Sequence, residues 1–190
     1  GDNPDRPLCE ASVPKPISGY GADKLAMEHH AAALGGVLGL KSTGLRFFNV
    51  YGPRQAPDSP YSGVISIFLS RLAAAQGISV FGDGEQARDF VYVSDVAATL
   101  AQAMVWTTAG NSGVFNICRG EATTLNTLID VLGEVLGVTP QVRYAEARSG
   151  DIRISIGASA AAAAALDFKG KVTLNEGLRL TADWMQNGSQ

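Results

Sequence analysis

Helix-forming and strand-forming segments alternate along most of this 190-residue chain, which restricts it to the mixed α/β class. Residues 20–34 are rich in Ala, Leu, Met and Glu and read as a helix ending at a Gly35-Gly36 break. Residues 43–50 are rich in β-formers and run into Tyr51-Gly52-Pro53-Arg54, a stop, so they read as one continuous strand. A helix over 62–75 follows, then strands over 79–81 and 90–93, then a helix over 94–106. Ser94 is the expected N-cap of that helix, with Asp95 in the first turn, where the helix dipole favours negative charge. Further on come a strand over 113–118, a helix over 124–136 closed by Gly137, and a strand over 141–144. The first 18 residues hold Pro4, Pro7, Pro14 and Pro16 and read as a loop. Near the end, the run Ala160 to Ala165 makes helix at little entropic cost but carries little apolar surface to bury, so its packing stays open. The last segment, 174–186, has Leu178, Ala182 and Met185 at helical spacing and stops at Asn187-Gly188.

Composition narrows the function classes. With 46% hydrophobic and 17% charged residues, the chain is ordinary globular protein, long enough for a sizeable core. A net charge of −3 and a pI near 5.3 offer no basic surface to a polyanion, so nucleic acid is not an expected partner. No run of eighteen apolar residues occurs, and no basic segment with an apolar core opens the chain. The expectation is a cytoplasmic enzyme with neither a membrane partner nor a signal peptide. Cys9 and Cys118 stand alone, without a Cys-x-x-Cys or a nearby His, so free thiols are expected and no metal site. The adjacent His29 and His30 point in different directions on a helix, which suits solvated or capping roles.

Tyr20 and Lys24 are four apart, so on a helix they share a face, about 5–6 Å apart at Cβ. A cation beside a phenol favours the phenolate, which makes Tyr20 a candidate acid/base and Lys24 its electrostatic partner. Tyr and Lys also share many solvated helix faces, and the spacing alone leaves both readings open. With its neighbours, Ser18-Gly19-Tyr20-Gly21-Ala22-Asp23-Lys24 resembles the Tyr-x-x-x-Lys signature of short-chain dehydrogenases/reductases, in the extended branch that works on nucleotide sugars.

Three further blocks carry the resemblance in order. Leu45-Arg46-Phe47-Phe48-Asn49-Val50-Tyr51-Gly52-Pro53-Arg54-Gln55 is similar to the Arg-x-Phe-Asn-x-Tyr/Phe-Gly-Pro block of nucleotide-sugar epimerases and their dehydratase and decarboxylase relatives. The likeness implies that Asn49 bonds the substrate near its diphosphate and that Phe47 lies by the nicotinamide. The segment from Ser79 to Ala97, centred on Gly82-Asp83-Gly84-Glu85-Gln86-Ala87-Arg88-Asp89, resembles the hairpin that holds the nucleoside end. By that likeness Ser79 and Phe81 meet the uracil and Arg88 reaches the diphosphate; Val64 is also expected in the substrate site. A surface ion pair of Arg88 with Asp89 or Glu85 is the plain alternative. Gly82 to Ala87 also matches Gly-x-Gly-x-x-Ala, but a strand follows where a dinucleotide site needs a helix, so it is rejected as one. Last, Arg148-Ser149-Gly150-Asp151-Ile152-Arg153 resembles the family's Arg-x-Gly-Asp-x-Arg block, implying that Arg148 binds the diphosphate and Asp151 the ribose. Ser155 falls at a gatekeeper position where a small residue admits N-acetyl sugars.

Taken together, the resemblance implies the C-terminal part of a Rossmann-type extended enzyme. Residues 1–55 would be the remnant of the NAD-binding domain with its parallel sheet, and 56–190 mainly a smaller α/β lobe for the nucleotide sugar. NAD is the implied cofactor and a UDP-sugar the implied substrate, with 4-epimerisation of a UDP-hexose as the reaction. Catalysis would fall to Tyr20 and Lys24, which with Phe47 would also touch the cofactor. The family's catalytic Ser or Thr and its Gly-x-x-Gly-x-x-Gly half would precede Gly1, so these residues alone are expected to be inactive and to self-associate, as a homodimer or otherwise. A dehydratase or decarboxylase fragment and a non-catalytic nucleotide-sugar-binding module are the alternatives.

Overall fold

A computed structural model describes residues 1, 3–59, 62–148 and 150–187. Ser149 and Gly188, which figure in the motifs above, lie outside the described residues. The helices are α1 Gly19–Leu38, α2 Val64–Ala73, α3 Val93–Thr108, α4 Leu125–Leu136, α5 Ala160–Leu166 and α6 Leu174–Asn187. The strands are β1 Thr43–Phe47, β2 Asn49–Tyr51, β3 Ile78–Phe81, β4 Ala87–Tyr92, β5 Gly113–Ile117, β6 Ala122–Thr124, β7 Val142–Ala145 and β8 Ile154–Ser155. This is the α/β class expected, with parallel pairings throughout except β4 with β6.

The strand expected over 43–50 is two strands. Within it β1 pairs with β5 and β2 pairs with β4, so the chain steps between sheets at Phe48. There the Phe48 N–H donates to Ile117 O at 3.1 Å, and the Val50 N–H to Phe48 O at 3.0 Å. A run of β-formers cannot reveal a change of partner. The segment around Gly82 is likewise no hairpin: β3 pairs with β7, while β4 sits among β2, β6 and β8.

Two apolar clusters hold these sheets. One gathers Ile65 and Leu69 of α2, Leu128 and Leu132 of α4 and Leu178 of α6 against Ile78, Val80 and Phe90. The other packs Val96 and Ala103 of α3, and Ala162 and Leu166 of α5, against Val91, Phe115 and Ile117. The alanine run therefore docks: Ala162 is fully buried, its small side chain allowing close approach to the sheet. The β1–β5 sheet takes one strand from each side of the 55/56 boundary.

Two helix ends differ from expectation. The cap of α3 is Tyr92, whose ring lies in the core, and Ser94 is already inside the helix. Asp95 does lie in the first turn, buried, its Oδ2 accepting the Val172 N–H at 3.1 Å. Helix α1 runs through Gly35-Gly36 and stops at Gly39, whose φ of 69° and N–H bond to Gly35 O (3.0 Å) close it. Two helical glycines cost about 1 kcal/mol each against alanine, which weakens a helix without breaking it. None of the α1 residues is buried; Met27, Leu34, Val37 and Leu38 are exposed. Cys9 and Cys118 are free thiols, the second buried and pushed up to about 12 by desolvation. Among the described residues no helix is long and apolar enough to cross a membrane.

Candidate functional site

The strand–loop–strand from β3 to β4 supplies the frame of one cluster. Its loop, 82–86, is pinned from three sides. Arg153 grips Asp83 with both prongs, Nη1 donating to Oδ1 at 2.6 Å and Nη2 to Oδ2 at 2.9 Å, and holds that carboxyl down at about 2. Asn126 Nδ2 donates to Glu85 Oε1 (2.6 Å) and to Asp83 O (3.1 Å), while the Tyr144 hydroxyl donates to Asn126 Oδ1 (3.0 Å). Gln86 Nε2 donates to Phe81 O at 2.7 Å. Gly84 is required here: its φ is 77°, and a Cβ would strike the Asn126 amide.

On this frame five of the expected nucleotide-binding residues come together, Phe81, Arg88, Arg148, Asp151 and Ser155, whereas Asn49 and Val64 lie on β2 and α2. The Phe81 ring lies under the Arg148 guanidinium, 3.8 Å from centroid to Cζ. Arg88 Nη2 donates to Asp151 Oδ1 at 2.5 Å, and Nη1 donates to Ile152 O (2.6 Å) and Ala87 O (2.9 Å). The ion pair of Arg88 is thus with Asp151, neither with Glu85 nor with Asp89. Asp89 turns inward, fully buried, and accepts the N–H groups of Arg119, Gly120 and Gly157. Ser155 of β8 faces Arg88 in the ladder register. Ser79 is half-buried and two residues before Phe81, hence on the same face of β3. Asn49 opens β2 opposite Phe90. Val64 opens α2 and packs against the first apolar cluster.

A second group sits at α1. Ser18 caps the helix by accepting the Gly21 N–H at 3.1 Å, which sets Tyr20 in the first turn, 64% exposed. Lys24 Nζ lies 5.3 Å from the Tyr20 ring centroid. Four residues on, Glu28 receives Arg46 Nε at 2.8 Å and Nη2 at 2.7 Å, which keeps the Glu28 carboxyl below the usual carboxylate range. A hollow of about 260 Å³ is lined by Lys24, Glu28, Arg46, Cys9 and Asn116 among others. Phe47 ends β1, exposed, and borders a different hollow with Leu100 and Met104. Among the described residues the side-chain bonds from α1 to other elements lead to β1, not to β4 or β8.

Sequence reasoning passed over Glu28, Arg46, Asp83, Asn126 and Arg153. Glu28 was within reach, since Tyr20, Lys24 and Glu28 follow each other at helical spacing. The Asp83–Arg153 pair spans 70 residues and leaves no local signal. Gly82 to Ala87 is followed by β4, a strand, as its rejection as a dinucleotide site required.

Comparison with known proteins follows the same lines. Residues 1–118 match the model of the NAD dependent epimerase/dehydratase family. The chain is 32% identical over its whole length to UDP-glucose 4-epimerase of Mycolicibacterium smegmatis, and spans 60% of that protein. Among solved structures it resembles UDP-glucose 4-epimerase from Thermotoga maritima with UDP-glucose, at a TM-score of 0.92 and 39% identity, covering 100% of this chain and 60% of that one. It also resembles UDP-N-acetylglucosamine 4-epimerase from Methanobrevibacter ruminantium in complex with UDP-N-acetylmuramic acid, at 0.91 and 34%, covering 99% and 60%.

Proposed function

The chain belongs to the NAD dependent epimerase/dehydratase family, and on that premise we propose that its residues serve the 4-epimerisation of a UDP-hexose, either glucose/galactose or their N-acetylamino forms. The observation that carries this reading is the cluster of Phe81, Arg88, Arg148, Asp151 and Ser155 on one pinned frame. A diphosphate suits guanidinium forks, which present planar paired donors that an ammonium cannot copy. A nucleobase suits the Phe81 edge of the cluster, and the ribose hydroxyls suit the Asp151 carboxylate. Ser155, being small, leaves room beside Arg88 for an N-acetyl group.

In this reading Tyr20, as phenolate, takes the proton of the sugar 4-hydroxyl, and Lys24 stabilises the negative charge on its oxygen. Bound NAD would supply hydride-acceptor and hydride-donor chemistry at the sugar C4, while Tyr20 would hold and return the 4-hydroxyl proton. Tyr20 and Lys24 are exposed, as contact with a nicotinamide ribose requires, and Phe47 is exposed beside a separate hollow. Among the described residues, the one Gly-x-Gly-x-x-Ala segment meets a strand, so a helix-terminal cradle for the pyrophosphate is not supplied by it. Residues 1–55 would serve the cofactor side and 56–190 mainly the nucleotide sugar.

The bracing of the nucleotide cluster by bonds that do not involve α1 also favours a second reading, a module that binds nucleotide sugar without turnover. One set of measurements tests both. Calorimetric titration with UDP-N-acetylglucosamine, with UDP as control, should show binding that Arg88→Ala and Arg148→Ala each weaken at least tenfold. Added NAD should produce no epimer from these 190 residues alone; epimer formation would overturn the module reading and the expected inactivity together. Absence of any UDP binding would overturn the assignment of the cluster.

A further inference from the structure

Lys24 has two possible partners on its own helix face. Tyr20 lies one turn before it and Glu28 one turn after, each four residues away. Asp23, the other carboxylate of α1, adjoins Lys24 in sequence and faces elsewhere. On a helix a lysine and a carboxylate at this spacing are within reach of each other, Lys before Glu being the weaker of the two orders. Here they do not pair: the Lys24 ammonium stands over the Tyr20 ring, and its recorded hydrogen bond is to Met27 Sδ at 3.9 Å.

Arg46 explains the difference. It comes from β1, on the sheet, and takes both oxygens of Glu28 through Nε and Nη2. Its remaining prong, Nη1, donates to Glu10 O at 3.2 Å, while the Glu10 carboxylate is occupied by the Asn116 N–H at 2.7 Å. Arg46 is thus the cation between two acids, and Glu28 is only 25% exposed at its side chain. Lys24, Glu28 and Arg46 line the same hollow, so the competition occurs within one small space.

We propose that Arg46 is a positioning residue for the Tyr20–Lys24 pair: by gripping Glu28 it denies that carboxylate to Lys24 and leaves the ammonium on the Tyr20 ring. The proposal rests on the reading that Lys24 serves Tyr20. Removing Arg46 would leave the half-buried Glu28 without its two-pronged cation. Of the two lysines that line this hollow, Lys15 and Lys24, Lys24 lies one helical turn from Glu28 and would swing off the ring to meet it. Removing Glu28 as well abolishes the competitor, and the ammonium returns.

The test reads the lysine ε-CH₂ groups of the full chain by carbon–proton NMR, with Lys24 assigned through K24R. Protons held over an aromatic ring are displaced upfield, and Y20A defines the position without a ring. R46L should move the Lys24 signal to the Y20A position, and R46L/E28Q should bring it back to that of the unsubstituted chain. If R46L leaves the signal in place while Y20A moves it, the inference fails and the Tyr20–Lys24 reading stands. If Y20A itself moves nothing, Lys24 does not serve Tyr20 and both fail. A signal lost equally in R46L and R46L/E28Q would mean that Arg46 merely seats the helix, and would also overturn the proposal. Should R46L not fold, R46K keeps a cation but loses the two-pronged grip, and carries the same comparison with a smaller displacement.

Discussion

Arg88 and Asp83 are the two side chains whose surroundings make their behaviour most predictable. Arg88 is committed to Asp151 and two carbonyls, whereas Arg148 holds only its stacking on Phe81 among the contacts described above. Arg88→Ala should therefore loosen the 151–155 segment as well as weaken ligand binding, and Arg148→Ala should weaken binding alone. Amide exchange of Ile152 and Arg153 distinguishes the two. Asp83 titrates at about 2 in the folded chain because Arg153 holds it, and at about 3.9 when unfolded. A depressed folded value means the pair stabilises the chain above that unfolded value and stops doing so as pH falls toward 2. The gap in thermal midpoint between the parent chain and D83N should be constant from pH 7 to 5 and close between pH 4 and 2. A gap unchanged at pH 2.5 would show that the pair does not form in solution.

Elements divide sharply into those the sequence announces and those it conceals. Helix α4 was legible to within one residue, Thr124 proving to be its cap, because Gly137 ends it in the left-handed conformation and leucines fall at helical spacing between. Leu128→Ala there, at a fully buried position, should cost 2–5 kcal/mol by urea unfolding, within the usual range for core leucines (about 2–5). The split of 43–51 into two strands was not legible, since partner choice depends on β4 and β5, far along the chain. Nor was the docking of α5, where the absence of side-chain bulk is what permits contact. Of the site, the motif residues on β3, β4 and β8 could be named in advance. What braces them, Arg153 on Asp83 and Asn126 on Glu85, could not, because both pairs join distant segments.

For the whole molecule, the exposed Met27, Leu34, Val37 and Leu38 on a helix with no buried residue form an apolar face. Self-association through that face is the expected outcome, with sedimentation giving a mass above 19.8 kDa. Leu34→Lys combined with Val37→Lys should return the chain to monomer; a parent chain that is already monomeric, with no dye-binding surface, would refute the expectation. The Glu28–Arg46 attachment of α1 has one more consequence. A helix fastened by charge and a core fastened by burial answer oppositely to ammonium sulfate, which screens ion pairs and strengthens the burial of apolar groups. Rising concentrations should loosen α1 on β1 while the rest of the chain becomes harder to melt, so that the Tyr20–Lys24 pair and the Arg88–Asp151 cluster lose their fixed relation before either segment unfolds.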